Sequence, residues 1–162
     1  MKAQRLTLLI NGTRHALQPA HEISLLEALR EHVGLTGTKC GCNAGVCGSC
    51  TVLIDGAPRR ACQLRADDVG AAAVTTIEGL ARPDGTLHPV QQAFIDAGAI
   101  QCGFCTPGMV LAATALLARE PCPTRDEIRS ALTPHLCRCT GYRQIFEAVE
   151  LAAQRLRAPD LR

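Results

Sequence analysis

Ten of the 162 residues are cysteine, and eight of them fall into two patterned groups. Cys42, Cys47 and Cys50 lie on one glycine-rich loop with four and then two residues between them, and Cys62 follows. That is the plant-type 2Fe–2S spacing, in which three ligands come from one tight loop and the fourth from elsewhere. Each iron of such a cluster is tetrahedral and shares two sulfides with the other, so four thiolates must converge. Gly41, Gly45 and Gly48 let backbone N–H groups approach the sulfurs and tolerate φ values that other residues resist. Structural zinc also takes four cysteines, but usually as two paired knuckles. Three cysteines crowded on one loop favour iron–sulfur over that rival.

The second group pairs Cys102 and Cys105, with two residues between them, with Cys137 and Cys139, with one residue between them. Each pair sits just before a predicted helix. Two helix N-termini would then offer unsatisfied N–H groups and positive dipole ends to an anionic thiolate site. By spacing alone zinc remains a rival here. A redox Cys-x-x-Cys is disfavoured, because no thioredoxin-like βαβ pattern surrounds it. Cys40 and Cys122 are left over. Cys122 stands between two prolines as a surface residue of a turn. Cys40 lies two residues before Cys42, and Cys42 is preferred as the ligand because it alone gives the four-residue gap to Cys47.

These loops need elements to hold them. Residues 5–18 read as a hairpin, with Arg5–Ile10 and His15–Gln18 as strands about an Asn11-Gly12 turn. Ser24 reads as the N-cap of a helix over Leu25–Glu31, with Glu27 at the capping-box position and Gly34 as the stop. After the cysteine loop of residues 36–50, strands are expected at Thr51–Ile54, Arg60–Leu64 and near Val74–Ile77, with Asp55-Gly56 as a turn. Ala81–Gly85 has turn composition and marks a boundary. Beyond it the pattern is helical: Pro89–Ala97; a helix capped by Thr106, opened by Pro107 and running to about Arg119; a third capped by Thr124 with Glu127 three residues on; and a fourth over about Tyr142–Arg157, with Ile145, Val149, Ala152 and Leu156 on one face. The expectation is an α+β chain: a β-grasp, ferredoxin-like domain over residues 1–80 and a four-helix-bundle domain over residues 81–162.

Composition narrows the function. A net charge of +2, no Trp and a single tyrosine, Tyr142, argue against a base-stacking nucleic-acid surface. No apolar run is long enough to span a membrane. The N-terminal residues show neither a signal-like apolar stretch nor a twin-arginine pair, so a cytoplasmic setting is expected, where thiols stay reduced. His15, His21, His32, His88 and His135 have no paired spacing and read as surface or loop residues. Asp126 and Glu127 read as first-turn partners of a helix dipole, not as catalytic carboxylates.

The motifs resemble a known family. Thr36-Gly37-Thr38-Lys39, Gly41-Cys42, Cys47-Gly48-Ser49-Cys50-Thr51-Val52 and Asp55-Gly56 are similar to the ferredoxin-like half of xanthine dehydrogenase-type molybdenum hydroxylases. Gln101-Cys102-Gly103-Phe104-Cys105-Thr106-Pro107-Gly108 and Leu136-Cys137-Arg138-Cys139-Thr140-Gly141-Tyr142 are similar to their helical half. The resemblance covers residues from about 5 to 155. It implies that the second site, like the first, holds a 2Fe–2S cluster. It further implies an electron-transfer subunit that carries electrons from a molybdopterin centre in a large subunit, through the helical-domain cluster and then the plant-type cluster, to FAD in a medium subunit or to another acceptor. Gln101 and Cys139 match the positions that contact the pterin in relatives. No catalytic residue is implied in this chain, and the assembly implied is a dimer of heterotrimers. Two other functions compete: a free-standing two-cluster ferredoxin, which would purify without large partners, and a colourless zinc-bound interaction module.

Overall fold

A computed structural model of the chain describes residues 6–18 and 22–158. Arg5 and His21 lie outside the described residues. Strand β1 (Leu6–Ile10) folds back onto β2 (Thr13–Leu17) through Asn11 and Gly12, both with positive φ, the geometry of a two-residue hairpin turn. Strand β3 (Thr51–Ile54) turns through Asp55 and Gly56 into β4 (Ala57–Arg60), and β5 (Ala73–Thr75) completes a five-stranded sheet in the order β2-β1-β5-β3-β4. β5 runs parallel to β1, and the other pairings are antiparallel.

The fourth strand departs from the Arg60–Leu64 expected from sequence. The two-residue turn pairs Ile54 directly with Ala57, so the strand must begin there. Pro58 is tolerated because β4 is an edge strand, where a missing N–H need not cost a ladder bond. Ala61–Gln63 then forms a 3₁₀ turn that carries Cys62. The last strand is likewise shorter than Val74–Ile77, because Ile77–Gly79 winds into a 3₁₀ turn.

Helix α1 begins where Ser24 predicts, its hydroxyl accepting from the Glu27 N–H at 3.1 Å. It is α-helical only over Leu25–Glu27 and continues as a π-helix through Ala28–His32, closed by Val33 N–H on the Ala28 carbonyl. Arg30 reaches from this wide turn to the carbonyls of Thr36 and Thr38, each at 2.9 Å, at the entry of the cysteine loop. Leu25, Leu26, Ala28 and Leu29 pack on Leu8, Ile10, Val52 and Val74 to form the first core, which also takes in Cys50 and borders Cys62.

Four helices surround the second core: α2 (Pro89–Asp96), α3 (Thr106–Arg119), α4 (Arg125–Leu132) and α5 (Arg143–Arg157). Phe94, Met109, Ile128, Leu132 and Ile145 are its large buried members, and Cys105 and Cys137 border it. Thr124 and Glu127 cap α4 reciprocally as the sequence predicts. On α5, Ile145, Val149 and Ala152 are buried, whereas Leu156 is exposed. The cap of α3 is Cys105, not Thr106, which places Pro107 at the second helical position, where no intrahelical bond is lost. His88 caps α2: its Nδ1 accepts from Val90 N–H at 3.2 Å, while Gln91 accepts from His88 N–H at 2.9 Å. The two cores meet where α3 crosses β3.

Candidate metal centres

The cysteine loop of residues 36–50 has no regular structure, and its backbone curls around one sulfur. The Cys42 thiol accepts N–H groups from Ala44, Val46 and Cys47 at 3.4, 3.3 and 3.4 Å. Those backbone donors, Cys47 foremost, pull the Cys42 thiol down to about 6. The thiolate is the form that binds metal, so this sulfur is prepared for ligation. Cys47 lies beside both Cys42 and Cys50, and Cys50 beside Cys62. Burial, chiefly, pushes the Cys50 thiol up to about 11, as expected of a sulfur rooted in the core. A Cβ at Gly41 would come within 2.8 Å of the Cys47 sulfur, so the close approach needs glycine. Cys40 is exposed and, among the described residues, makes no hydrogen bond through its sulfur.

The second group comes together from two loops far apart in sequence. Cys139 and Cys102 place their sulfurs 3.6 Å apart. Two thiolates on one tetrahedral metal with bonds of about 2.3 Å would stand about 3.8 Å apart. Cys105 neighbours Cys137. Burial, foremost, pushes the Cys105 thiol up to about 12, and the Cys137 sulfur adds to the rise. Burial also tends to raise Cys137, but the Thr140 hydroxyl at 3.1 Å, the Thr140 N–H at 3.4 Å and the Cys139 N–H at 3.5 Å outweigh it and lower that thiol. Each group therefore combines a sulfur in a cradle of polar donors with one anchored against a hydrophobic core. Among the described residues, no three His, Cys, Asp or Glu side chains close on a single ion. Each set gathers its four thiols in one neighbourhood, enough to supply two thiolates to each iron of a 2Fe–2S cluster.

The two loops are joined directly. Leu136, beside Cys137, donates its N–H to the Cys47 carbonyl at 2.9 Å. Arg60 reaches the carbonyl of Gly45 and, at 3.3 Å, that of Pro134. Tyr142, held at a φ of 70°, accepts the Cys137 N–H at 2.8 Å and donates to the His135 carbonyl at 3.0 Å. Gln101 is exposed, as are Cys102 and Cys139. Cys122 is exposed, as the sequence predicts, with the Arg157 guanidinium 2.8 Å from its sulfur.

The sequence reading missed His135. It lies in a loop as expected but is only 5% exposed, not at the surface. Burial first, and the Arg60 charge second, hold its imidazole down to about 4. Thr51 Oγ1 lies 2.7 Å from the Gly48 carbonyl and 3.0 Å from His135 Nε2. A carbonyl can only accept, so the Thr51 proton goes to Gly48 and Nε2–H donates to Thr51. Nothing in the histidine spacing signals this, because the burial comes from segments distant in sequence.

Comparison with known proteins agrees with this architecture. A 2Fe–2S iron–sulfur cluster binding domain matches residues 14–95, and a [2Fe–2S] binding domain matches residues 76–150. The nicotinate dehydrogenase small FeS subunit of Eubacterium barkeri is 45% identical over 93% of this chain and 95% of its own length. The solved structure of quinoline 2-oxidoreductase from Pseudomonas putida 86 superposes with a TM-score of 0.88 at 45% identity, covering 95% of this chain and 96% of the matched one. The aldehyde oxidoreductase of Desulfovibrio desulfuricans gives a TM-score of 0.89 at 44% identity, with 95% of this chain covering 17% of that longer polypeptide.

Proposed function

Because this chain belongs to the family of 2Fe–2S small subunits of the molybdenum hydroxylases, we propose that it is the subunit of such an oxidoreductase that carries electrons from a molybdopterin centre to FAD or another acceptor. Substrate is oxidised in a separate large subunit. The observation that carries this reading is the pair of four-thiol sets, each rooted in its own core, with their loops hydrogen-bonded together between Leu136 and Cys47.

Cys42, Cys47, Cys50 and Cys62 hold one cluster; Cys102, Cys105, Cys137 and Cys139 hold the other. Two 2Fe–2S clusters supply one-electron carriers. The residues of the chain do the rest. Backbone N–H groups around Cys42 and the Thr140 donors around Cys137 stabilise negative charge on sulfur. Cys50, Cys105 and Cys137 anchor the sites against apolar surfaces that exclude water. Gln101 and Cys139, exposed beside Cys102, are the contacts for the pterin. The sheet order, with β5 parallel to β1 between two hairpins, supports a β-grasp domain over residues 1–80. The four helices on one core support a helical-bundle domain over 81–162. No helix among the described residues is long and apolar enough to cross a membrane. The setting proposed is cytoplasmic, in a complex with a large molybdopterin subunit and a medium FAD subunit, assembled as a dimer of heterotrimers.

The test is purification of the chain from its native complex, with metal analysis and low-temperature electron paramagnetic resonance after dithionite reduction. The expected result is co-elution with a molybdenum-containing chain and two distinct 2Fe–2S signals. Elution without large partners would favour a free-standing ferredoxin, and zinc in place of iron would overturn the reading.

A further inference from the structure

The seam between the two cores converges on one buried side chain. His135 belongs to the loop that precedes the Cys137–Cys139 pair, yet its ring is pressed against the loop that carries Cys47 and Cys50. Gly48, at a φ of 73°, faces it so closely that a Cβ there would lie 2.8 Å from the His135 ring. Gly108, in the first turn of α3, packs against the same place: its Cβ would come within 2.5 Å of the Gly48 carbonyl and 3.4 Å of the imidazole. That carbonyl accepts the Thr51 hydroxyl, and the Thr51 oxygen accepts from His135 Nε2. Three segments therefore meet at one peg: the loop of the first thiol set, the helix that starts at Cys105, and the loop of Cys137 and Cys139. The ring is buried, and its Nε2 is engaged by Thr51, a residue of the strand that follows the first cysteine loop.

We propose that His135, through Thr51, is a positioning residue that fixes the separation and mutual orientation of the two cluster sites. The inference rests on the two-cluster reading above. Its physical basis is that electron tunnelling between clusters falls exponentially with separation, so a seam free to slide would vary the rate. The remaining seam bonds are less constraining. Leu136 to Cys47 is a single main-chain bond, and the Arg60 contacts come from a half-exposed, flexible side chain. In the transfer that the peg governs, one electron leaves the reduced cluster of the second set and enters the oxidised cluster of the first, with no bond made or broken.

The test uses the assembled complex with Thr51→Val, His135→Ala and His135→Gln. Thr51→Val keeps the shape and removes the hydroxyl. The glutamine amide can restore a donor near the position of Nε2. Two quantities are read after iron analysis: the magnetic coupling between the two reduced clusters by electron paramagnetic resonance, and the rate at which the second of the two clusters bleaches in stopped flow. Thr51→Val and His135→Ala should keep the parent's iron content, change the coupling and slow the second phase severalfold, while His135→Gln returns both towards the parent. Full iron with unchanged coupling and rate in Thr51→Val overturns the inference and leaves the two-cluster reading standing. Loss of iron in both Thr51→Val and His135→Ala makes the peg a folding element only and also overturns it. A parent complex with fewer than two clusters would instead defeat the reading beneath it.

Discussion

Cys40 and Cys42 are separated by one glycine, yet their surroundings differ. Three backbone N–H groups aim at Cys42, while the Cys40 sulfur has no such donors among the described residues. Cys40→Ser should therefore leave the parent's iron and both paramagnetic signals in place, whereas Cys42→Ser should abolish or distort one signal. The reverse pattern would reassign the ligand. Tyr142 is the corresponding residue at the second site. Its hydroxyl both accepts from Cys137 and donates to His135, so Tyr142→Phe should lower thermal stability by about 1–2 kcal/mol for two lost hydrogen bonds. It should also make the second cluster more labile to a chelator; iron release at the parent rate would show that the tyrosine merely packs. At this scale the thiols were readable in the sequence because ligand chemistry is written in local spacing. His135 and Thr51 were not, because what makes them matter is the meeting of residues 84 positions apart.

At the scale of elements, local signals located most boundaries, and tertiary constraints moved the others. Thr124 with Glu127 marked the start of α4 because a capping box is complete within four residues. The Asp55-Gly56 turn could likewise be read, but its consequence for register, a strand that begins at Ala57 and crosses Pro58, depends on β4 being the sheet edge. The π-turn of α1 carried no signal in composition. Thr124→Ala should cost about 1 kcal/mol, the usual loss for a removed cap, and faster hydrogen exchange in the first turn of α4 would register it. Phe94→Ala in the helical core should cost about 3–5 kcal/mol by leaving a cavity. Helix α2 offers a pH test. Burial lowers His88 below its ordinary value of 6.5, and its Nδ1 must stay unprotonated to accept the Val90 N–H. The folded chain thus binds fewer protons here than the unfolded one. The contribution of this cap is present above the ordinary histidine value and is lost as pH falls below it towards the lowered folded value. His88→Asn should keep a side-chain acceptor and flatten the dependence; unfolding curves that keep the parent's slope in this range would refute the assignment.

The whole molecule presents its apolar surface unevenly. Val46 adjoins Cys47 and is 61% exposed, Leu136 bonds to the Cys47 carbonyl and is 55% exposed, and Phe104 faces Gly41 and is 45% exposed. Large apolar side chains grouped in the open signal a surface built to be covered. Expressed without partners, the chain should aggregate or lose the cluster of Cys102, Cys105, Cys137 and Cys139 first. Light scattering with and without the large subunit would check this, and a monodisperse, fully loaded lone chain would contradict it. The same openness bears on how the chain is filled with iron. Cys102 and Cys139 are both exposed with sulfurs 3.6 Å apart, so iron and sulfide can reach that half of the second site from solvent after folding. Before they arrive, dioxygen can take two electrons and two protons from that pair and leave a disulfide across the entrance. Maturation of the second site is then a race between metal delivery and air, and a chain that loses it would carry the first cluster alone until a thiol reductant reopened the pair.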